Sequence, residues 1–122
     1  MMNVLAIGLG GALGAMARYG VGIATTRVLS SAFPYGTLGI NIIGCLIMGL
    51  LIGVFALREP VDPMLKLFWT TGILGGFTTF SAFSLEAIML YDRKPTLAAA
   101  YVLTSVFLSI GACAIGLKVM AR

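Results

Sequence analysis

The feature of this sequence that most constrains its fold is a set of four long stretches without a charged residue. They run over residues 1–17, 36–57, 67–85 and 95–117. Each approaches the roughly 20 residues that a helix rising about 1.5 Å per residue needs to cross a hydrocarbon core. With a mean hydropathy of +1.08 and 10% charged residues, the chain cannot cover itself with the polar surface of a soluble domain. The sequence therefore predicts an all-α integral membrane protein with four transmembrane helices.

The four stretches form one domain. We place the spans at about residues 3–26, 36–57, 64–91 and 96–120, which predicts a single four-span membrane domain over residues 1–122. The first span has neither a basic n-region nor an A-x-A cleavage pattern, so we expect it to be retained. Almost no chain remains for a soluble domain. We therefore expect a multi-pass protein of the cell membrane whose function lies inside the lipid bilayer.

Several classes of site lack the residues they need. The sequence has no histidine, and Cys45 and Cys113 both fall inside apolar stretches, where a thiol is most often a small packing residue. A zinc or haem site therefore has no ligand set. The glycine-rich residues 8–14 do not match a dinucleotide fingerprint, because Leu13 stands where the third glycine belongs. Without a nucleophile and base, we expect no enzyme, and we expect no nucleic-acid partner.

Glycines spaced four apart recur in three of the spans. In lipid, this spacing lets two helix backbones approach each other closely. It predicts tight helix packing within the chain, between copies of the chain, or both. The pairs are Gly10 with Gly14, Gly49 with Gly53, and Gly72 with Gly76.

The loop charges barely distinguish the two sides of the membrane. An excess of Lys and Arg on cytoplasmic loops normally sets orientation. The side with the termini has four cations and the other side has three: Arg58, Lys66, Lys118 and Arg122 against Arg27, Arg93 and Lys94. Two interpretations stay open. Either the chain inserts one way with few charges, or it inserts both ways and pairs head to tail as an antiparallel homodimer.

Polar residues inside the spans are candidates for function, because hydrocarbon tolerates them only where they find partners or line water. They are Arg18 in the first span, Thr37 and Asn41 in the second, and Tyr101, Ser105 and Ser109 along one face of the fourth. A single hydroxyl in a membrane helix commonly bonds its own backbone four residues back. As two tracks of neutral donors, however, these side chains suit an anion that must be held and then released.

The third span is predicted to break near the bilayer centre. Residues 75–79 read Gly-Gly-Phe-Thr-Thr, which combines poor helix propensity with hydroxyls that can replace backbone partners. A break frees carbonyl oxygens that can coordinate Na⁺; the alternative is a glycine kink filled by a neighbouring helix. Beyond it, Phe80 and Phe83 either pack in the core or turn their electropositive ring edges to an anion. Glu86 could pair with Arg18 or a loop cation, or hold water at a pore mouth.

Three motifs stand out when the spans are considered together. The first is Gly-x-x-x-Arg-Tyr over residues 14–19, and the second is Gly-Thr-Leu-Gly-Ile-Asn over residues 36–41. The third, and the most specific, is Gly-Gly-Phe-Thr-Thr-Phe-Ser-x-Phe-Ser-x-Glu over residues 75–86. Together they resemble the Fluc (CrcB) family of small dual-topology fluoride channels. The resemblance covers essentially the whole chain, including its four-span layout.

The resemblance implies a fluoride pore. Asn41 matches the asparagine whose side-chain amide faces fluoride, and Phe80 and Phe83 match the two pore phenylalanines of the family. Thr37 matches the threonine near that asparagine, and Glu86 matches a glutamate near the permeation path. The polar track of the last helix is matched by Tyr101, Ser105 and Ser109.

The resemblance also implies a cation and a dimer. Gly75 and Thr78 match the residues of the helix break whose backbone carbonyls, from both subunits, hold a central Na⁺ that is structural and not transported. The expected assembly is an antiparallel homodimer with two pores. Its expected activity is passive export of cytoplasmic fluoride, which lowers the toxicity of that ion.

Two other functions remain as alternatives. A small multidrug-type proton-coupled antiporter also has four spans and dual topology, but it needs a membrane-embedded carboxylate, usually early in the chain. The first span has none, and Glu86 is the only candidate. The other alternative is a structural or assembly subunit without transport of its own.

Overall fold

The four predicted spans are present in the fold. A computed structural model describes residues 1–121, which form helices and connectors and contain no strand. The spans are Met2–Val28, Tyr35–Leu57, Pro63–Arg93 and Pro95–Met120. Each is long and apolar enough to cross a membrane, so the prediction of four membrane helices is confirmed. Arg122, one of the loop cations counted above, lies outside the described residues.

Only the third span is interrupted. We call Met2–Val28 helix α1 and Tyr35–Leu57 helix α2. The third span consists of an α-helical turn Pro63–Leu67 (α3), a π-helical segment Phe68–Leu74, an α-helical turn Gly75–Phe77 (α4) and the helix Ser81–Arg93 (α5). Pro95–Met120 is helix α6. Residues 63–77 are called the N-terminal arm below.

The interruption falls just after the glycine pair. Gly75 has helical angles (φ −61°, ψ −37°), whereas Thr78 is extended (φ −80°, ψ 159°). Residues 78–80 therefore form the break, in the middle of the span. The glycines remain helical because they serve packing: a methyl group on Gly76 would lie 2.5 Å from the carbonyl oxygen of Gly11. The prediction of a broken third helix holds, with its position moved by a few residues.

Helix α1 packs along the N-terminal arm through facing glycines. A methyl group on Gly10 would lie 2.6 Å from the carbonyl oxygen of Phe68 and 2.9 Å from the amide nitrogen of Ile73. Gly14 lies equally close to the backbone of Ile73, with the amide nitrogen of Phe77 2.8 Å from such a methyl. Only residues without a side chain allow this approach. We call this contact the arm seam.

Helices α2 and α6 form a second glycine seam. A methyl group on Gly116 would lie 2.6 Å from the carbonyl oxygen of Leu46. On the other helix, Gly49 faces the carbonyl of Cys113, and Gly53, one turn further, faces Met120. The two helices therefore run parallel, as the second and fourth spans of a four-span chain must. We call this contact the α2/α6 seam. Tight glycine packing within the chain is confirmed, and packing between copies stays a prediction.

The bundle has a small interior. Its one cluster of buried apolar side chains within residues 1–121 comprises Phe83, Leu90, Ala98 and Tyr101, where α5 meets α6. Large apolar residues such as Leu9, Phe107 and Ile110 are more than half exposed, which suits side chains that face lipid or another copy. The polar residues of interest therefore concentrate where the seams and the break meet.

Candidate functional site

The break is held by the side chain of Asn41 in α2. Its amide nitrogen Nδ2 donates to the carbonyl oxygen of Thr79 at 2.9 Å, and its Oδ1 accepts from the amide N–H of the same residue at 2.9 Å. One side chain thus replaces both helical hydrogen bonds that the Thr79 peptide loses at the break. A neutral amide keeps one further N–H free of this pair. The role of Asn41 in binding fluoride, implied by the resemblance, stays a prediction.

Arg18 reaches the break from α1. Its Nε donates to the carbonyl oxygen of Gly76 at 3.1 Å, and the side chain is half-buried. In a continuous helix that carbonyl would accept from the N–H of Phe80. The guanidinium therefore caps the last turn of the N-terminal arm, as basic side chains do at helix C-termini.

Two other carbonyls of the break keep their lone pairs. Within residues 1–121, the oxygens of Gly75 and Thr78 accept no hydrogen bond. The donor that would reach Gly75 in a helix, the N–H of Thr79, binds Asn41. The donor that would reach Thr78, the N–H of Ala82, binds the Thr79 hydroxyl at 3.1 Å. These two carbonyls are the pair that the resemblance assigns to Na⁺, and uncoordinated backbone oxygens are the ligand type that a hard cation takes.

The aromatic residues beyond the break form a continuous line. The rings of Phe80 and Phe83 are 5.5 Å apart, and Phe83 lies 5.2 Å from Tyr101. Phe33 of the connector closes the line, with its ring edge toward Tyr101 at 5.4 Å. Phe83 is 8% exposed and Phe80 is 76% exposed. The two phenylalanines are therefore neighbours, but one lies in the core of the protomer and the other lies on its surface.

The hydroxyl of Tyr101 joins two of the predicted polar positions. Tyr101 is fully buried and donates to Glu86 Oε1 at 3.4 Å, and Thr37 lies close to the same hydroxyl. Of the partners considered for Glu86, neither Arg18 nor a loop cation is bound to it within the described residues. Arg18 instead binds a backbone carbonyl, so of the three roles left open for Glu86, neither ion pair forms within the described residues, and the holding of water at a pore mouth stays a prediction.

Ser105 and Ser109 continue this line along α6, and their hydroxyls are unsatisfied. Both oxygens are buried, and neither makes a hydrogen bond within residues 1–121. Ser109 also lies close to Cys45 of α2. Sequence reasoning treated Cys45 as packing alone and missed that proximity. The parallel pairing of Gly49 with Cys113 would have placed Cys45 opposite Ser109, one turn earlier on each helix.

Other hydroxyls in the spans behave differently. Thr70 donates to the carbonyl of Lys66 at 2.7 Å, Thr78 to that of Leu74 at 2.9 Å, and Ser84 to that of Phe80 at 2.9 Å. Each of these satisfies itself on the preceding turn of its own helix, which is the ordinary state of a hydroxyl in a membrane helix. Ser105 and Ser109 differ from these residues, because their buried hydroxyls make no such bond within residues 1–121.

A cavity of about 520 Å³ opens beside the break. Its walls come from the end of α1, the connector to α2, the start of α2 and one face of α5. It contains Arg18, Thr37, Thr79, Glu86 and Arg93. Two cations and one carboxylate give this cavity a net positive lining, and such a lining raises the local concentration of anions. Arg93, counted above only as a loop charge, is the member that sequence reasoning missed.

Known proteins resemble this chain over nearly its full length. A family model described as CrcB-like protein, Camphor Resistance (CrcB), matches residues 5–117. A protein of Nitrobacter hamburgensis named fluoride-specific ion channel FluC 1 is 47% identical over 118 residues, which cover 96% of this chain and 94% of that protein. The fluoride-specific ion channel FluC of Rhodopseudomonas palustris is 49% identical over 120 residues, with 98% and 97% covered. The protein of the same name from Rhizobium leguminosarum is 46% identical over 121 residues, with 98% and 97% covered.

Proposed function

Because the chain belongs to the CrcB family, we propose that it is a fluoride-selective channel that lets cytoplasmic fluoride leave the cell passively. The protein is a multi-pass membrane protein, and in bacteria its membrane is the plasma membrane. The observation that carries the proposal is the pair of buried, unpartnered hydroxyls of Ser105 and Ser109 in line with Tyr101. A buried hydroxyl without a partner is costly, so these two hydroxyls suit a partner from outside the protomer, and a permeating anion is such a partner.

The proposed path begins in the positively lined cavity and follows neutral donors. The path leaves the cavity at Thr37, which lies beside the Tyr101 hydroxyl. It then continues along α6 past Ser105 and Ser109. Neutral hydroxyls replace part of an anion's hydration shell without trapping the ion as a formal charge would. Asn41 borders the same path, and its free N–H is a further donor for fluoride.

The two phenylalanines supply the rest of the proposed path. An aromatic ring is electropositive at its edge, so ring edges can accommodate an anion without binding it tightly. The ring of Phe83 lies inside the protomer, whereas the ring of Phe80 is exposed on its surface. A pore lined by both rings would therefore be completed by a second copy of the chain.

We propose that this second copy is antiparallel. The four-against-three count of loop cations gives little preference for one orientation. The small core and the exposed apolar faces also favour a protein that completes itself by association. In such a dimer the two-fold axis lies in the membrane plane, and every polar group occurs twice in inverted positions. Two equivalent pores per dimer follow from that symmetry.

We propose a structural, non-transported Na⁺ at the centre of this dimer. The chain fits the ion, since the oxygens of Gly75 and Thr78 are without hydrogen-bond donors while the oxygens of Gly76 and Thr79 are occupied by side chains. Two carbonyls from each copy would hold the ion, which supplies positive charge at the helix break.

The driving force needs no coupling ion. Fluoride enters a cell as neutral HF, which dissociates in the more alkaline cytoplasm and traps the anion. The membrane potential then favours exit by about 2.3 kcal/mol per charge per 100 mV. A passive pore is therefore sufficient for detoxification.

Fluoride efflux from liposomes containing the purified protein tests the proposal. We expect efflux without a proton gradient, and we expect Phe80→Ile to abolish it because an aliphatic side chain has no electropositive edge. Phe107→Ile is the matched control, since Phe107 is 69% exposed on α6 and is not among the residues of the proposed path. Proton-coupled uptake of an organic cation would instead establish the antiporter, with Glu86 as its carboxylate. The absence of any flux would favour a structural subunit.

A further inference from the structure

The break separates a carbonyl and an amide that would be hydrogen-bonded to each other in a continuous helix. The Gly76 carbonyl and the Phe80 N–H are four residues apart, which is the spacing of an α-helical hydrogen bond. The Gly76 carbonyl accepts from Arg18 Nε at 3.1 Å, and the Phe80 N–H has no acceptor within residues 1–121. The arginine therefore occupies the acceptor that a continuous third helix would need.

The position of Arg18 is set by the arm seam. Gly14 lies one turn before Arg18 on the same face of α1, and it contacts the backbone of Ile73 and Phe77 directly. Because nothing larger than glycine separates α1 from the N-terminal arm, the guanidinium group reaches the end of that arm at Gly76. Arg18 therefore both binds the end of the N-terminal arm and lines the cavity.

We propose that Arg18 is a positioning residue that keeps the third helix broken by holding the Gly76 carbonyl. Without this partner, the half-buried Gly76 carbonyl would be left without a donor from the protein, and the free N–H of Phe80 is the donor that an α-helix would supply to it. Closing that bond would extend α4 toward α5 and rotate the neighbouring peptides. The carbonyls of Gly75 and Thr78 would then lose the orientation that leaves them free of donors. The last step rests on the proposed Na⁺ site, whereas the first does not.

The competing role for Arg18 is attraction of anions by its charge. The cavity it lines already contains a second cation, Arg93, and a carboxylate, Glu86. Charge and hydrogen bonding can be separated by substitution. Glutamine at position 18 is neutral but can donate to a carbonyl, methionine is neutral and cannot, and lysine keeps the charge. A positioning role ranks glutamine above methionine, whereas a purely electrostatic role makes these two alike.

Amide hydrogen exchange at Phe80, measured in lipid nanodiscs, is the direct test. In the wild type we expect a fast-exchanging amide, and in Arg18→Met we expect exchange slowed by about 3- to 10-fold, as one new hydrogen bond provides. Arg18→Gln should leave the Phe80 amide fast. Equal exchange at Phe80 in the wild type and Arg18→Met, or equal slowing in the Gln and Met variants, would overturn the proposal.

Thermal unfolding in Na⁺ and in Na⁺-free medium tests the consequence for the cation. A ligand that binds only the folded state raises the unfolding temperature. We expect that rise in the wild type and Arg18→Gln, and its loss in Arg18→Met. A rise of equal size in all three variants would overturn the link between Arg18 and the cation site. Neither measurement uses fluoride, so wild-type liposomes that fail to release fluoride would refute the proposed function while the exchange result still decides the role of Arg18.

Discussion

The arm seam and the α2/α6 seam both depend on glycines that let two helix backbones touch. The polar groups beside the two seams differ in whether they are hydrogen-bonded. In each, a glycine lets a backbone carbonyl approach to within 2.6 Å of where a methyl group would stand: Gly10 at Phe68, and Gly116 at Leu46. The arm seam leads to a helix end whose Gly76 carbonyl is satisfied by Arg18. On the α6 side of the α2/α6 seam, the hydroxyls of Ser105 and Ser109 make no hydrogen bond within residues 1–121.

We interpret this difference as one between polar groups that stabilise the fold and polar groups that belong to the proposed fluoride path. Close backbone contact supplies the van der Waals packing that holds helices together in lipid, where burial of apolar surface contributes little. Once that packing is fixed, a polar group beside a seam is in one of two states. We call it locked where it is hydrogen-bonded within the described residues, and open where it is not. Locked groups, as at the break, hold an irregular backbone in place, and open groups, as along α6, are the ones that the proposed path assigns to fluoride.

The largest expected effect comes from breaking either seam. Gly10→Ala and Gly116→Ala each force a methyl group against a backbone carbonyl, and overpacking of this kind costs up to about 3 kcal/mol where backbone must move. Unfolding in detergent, followed by circular dichroism, measures the loss. The matched controls are Gly8→Ala in α1 and Gly111→Ala in α6, where a methyl group meets nothing within 4 Å. If seam and control variants unfold alike, the glycines do not define the seams.

A smaller effect is expected from unlocking the break. Asn41→Leu removes both hydrogen bonds to Thr79 and leaves that peptide's N–H and carbonyl unsatisfied, at a cost of about 2 kcal/mol. The free energy of unfolding should fall accordingly. The conservative variant Asn41→Gln keeps the amide at a different reach and should recover part of the loss. A fully stable Asn41→Leu protein would mean that the break does not depend on this side chain.

The sequence predicted the helices and the seams because both follow from local patterns. Charge-free stretches gave the spans to within a few residues, and glycines spaced four apart marked both seams. The break was expected from residues 75–79, yet it lies at 78–80. The low helix propensity of glycine predicted that the helix would break at Gly75 and Gly76. Both glycines are helical instead, and the missing side chain of Gly76 allows close packing against α1. Thr78, Thr79 and Phe80 are the residues that leave the helix.

The partners of the polar residues could not be predicted, because they depend on contacts far apart in the chain. The pairs Arg18 with Gly76 and Asn41 with Thr79 each involve a backbone group, which carries no sequence signal. Single-residue reasoning therefore offered Glu86 as a partner for Arg18, although a carbonyl is the one used. The satisfied and unsatisfied hydroxyls also look identical in the sequence. Ser84 donates to the Phe80 carbonyl on the preceding turn, whereas Ser105 makes no such bond within residues 1–121.

Removal of an open hydroxyl separates stability from transport. Ser105→Ala deletes a group without a partner in the protomer, so we expect the free energy of unfolding to change by no more than about 0.5 kcal/mol. Fluoride efflux from liposomes should nevertheless fall, by about 10-fold if one donor to the ion is lost. Ser84→Ala is the control, because the hydroxyl of Ser84 bonds its own helix at the Phe80 carbonyl. A drop in stability without a drop in flux would place Ser105 among the locked groups.

The smallest effect is expected in the loop that joins the two seams. Glu59 pairs with Lys66, and this partner together with the N–H of Val61 lowers the pKa of the exposed carboxyl. A lowered pKa in the folded state contributes stability that is present above the carboxyl's unfolded pKa and is lost as the pH falls through its folded pKa. The contribution is slight, because exposed ion pairs are screened by solvent and salt. Unfolding temperatures of the wild type and Glu59→Gln should therefore differ marginally at neutral pH and converge in acid. A large difference at neutral pH would mean that this loop couples the seams, and that neither can be treated as an independent unit.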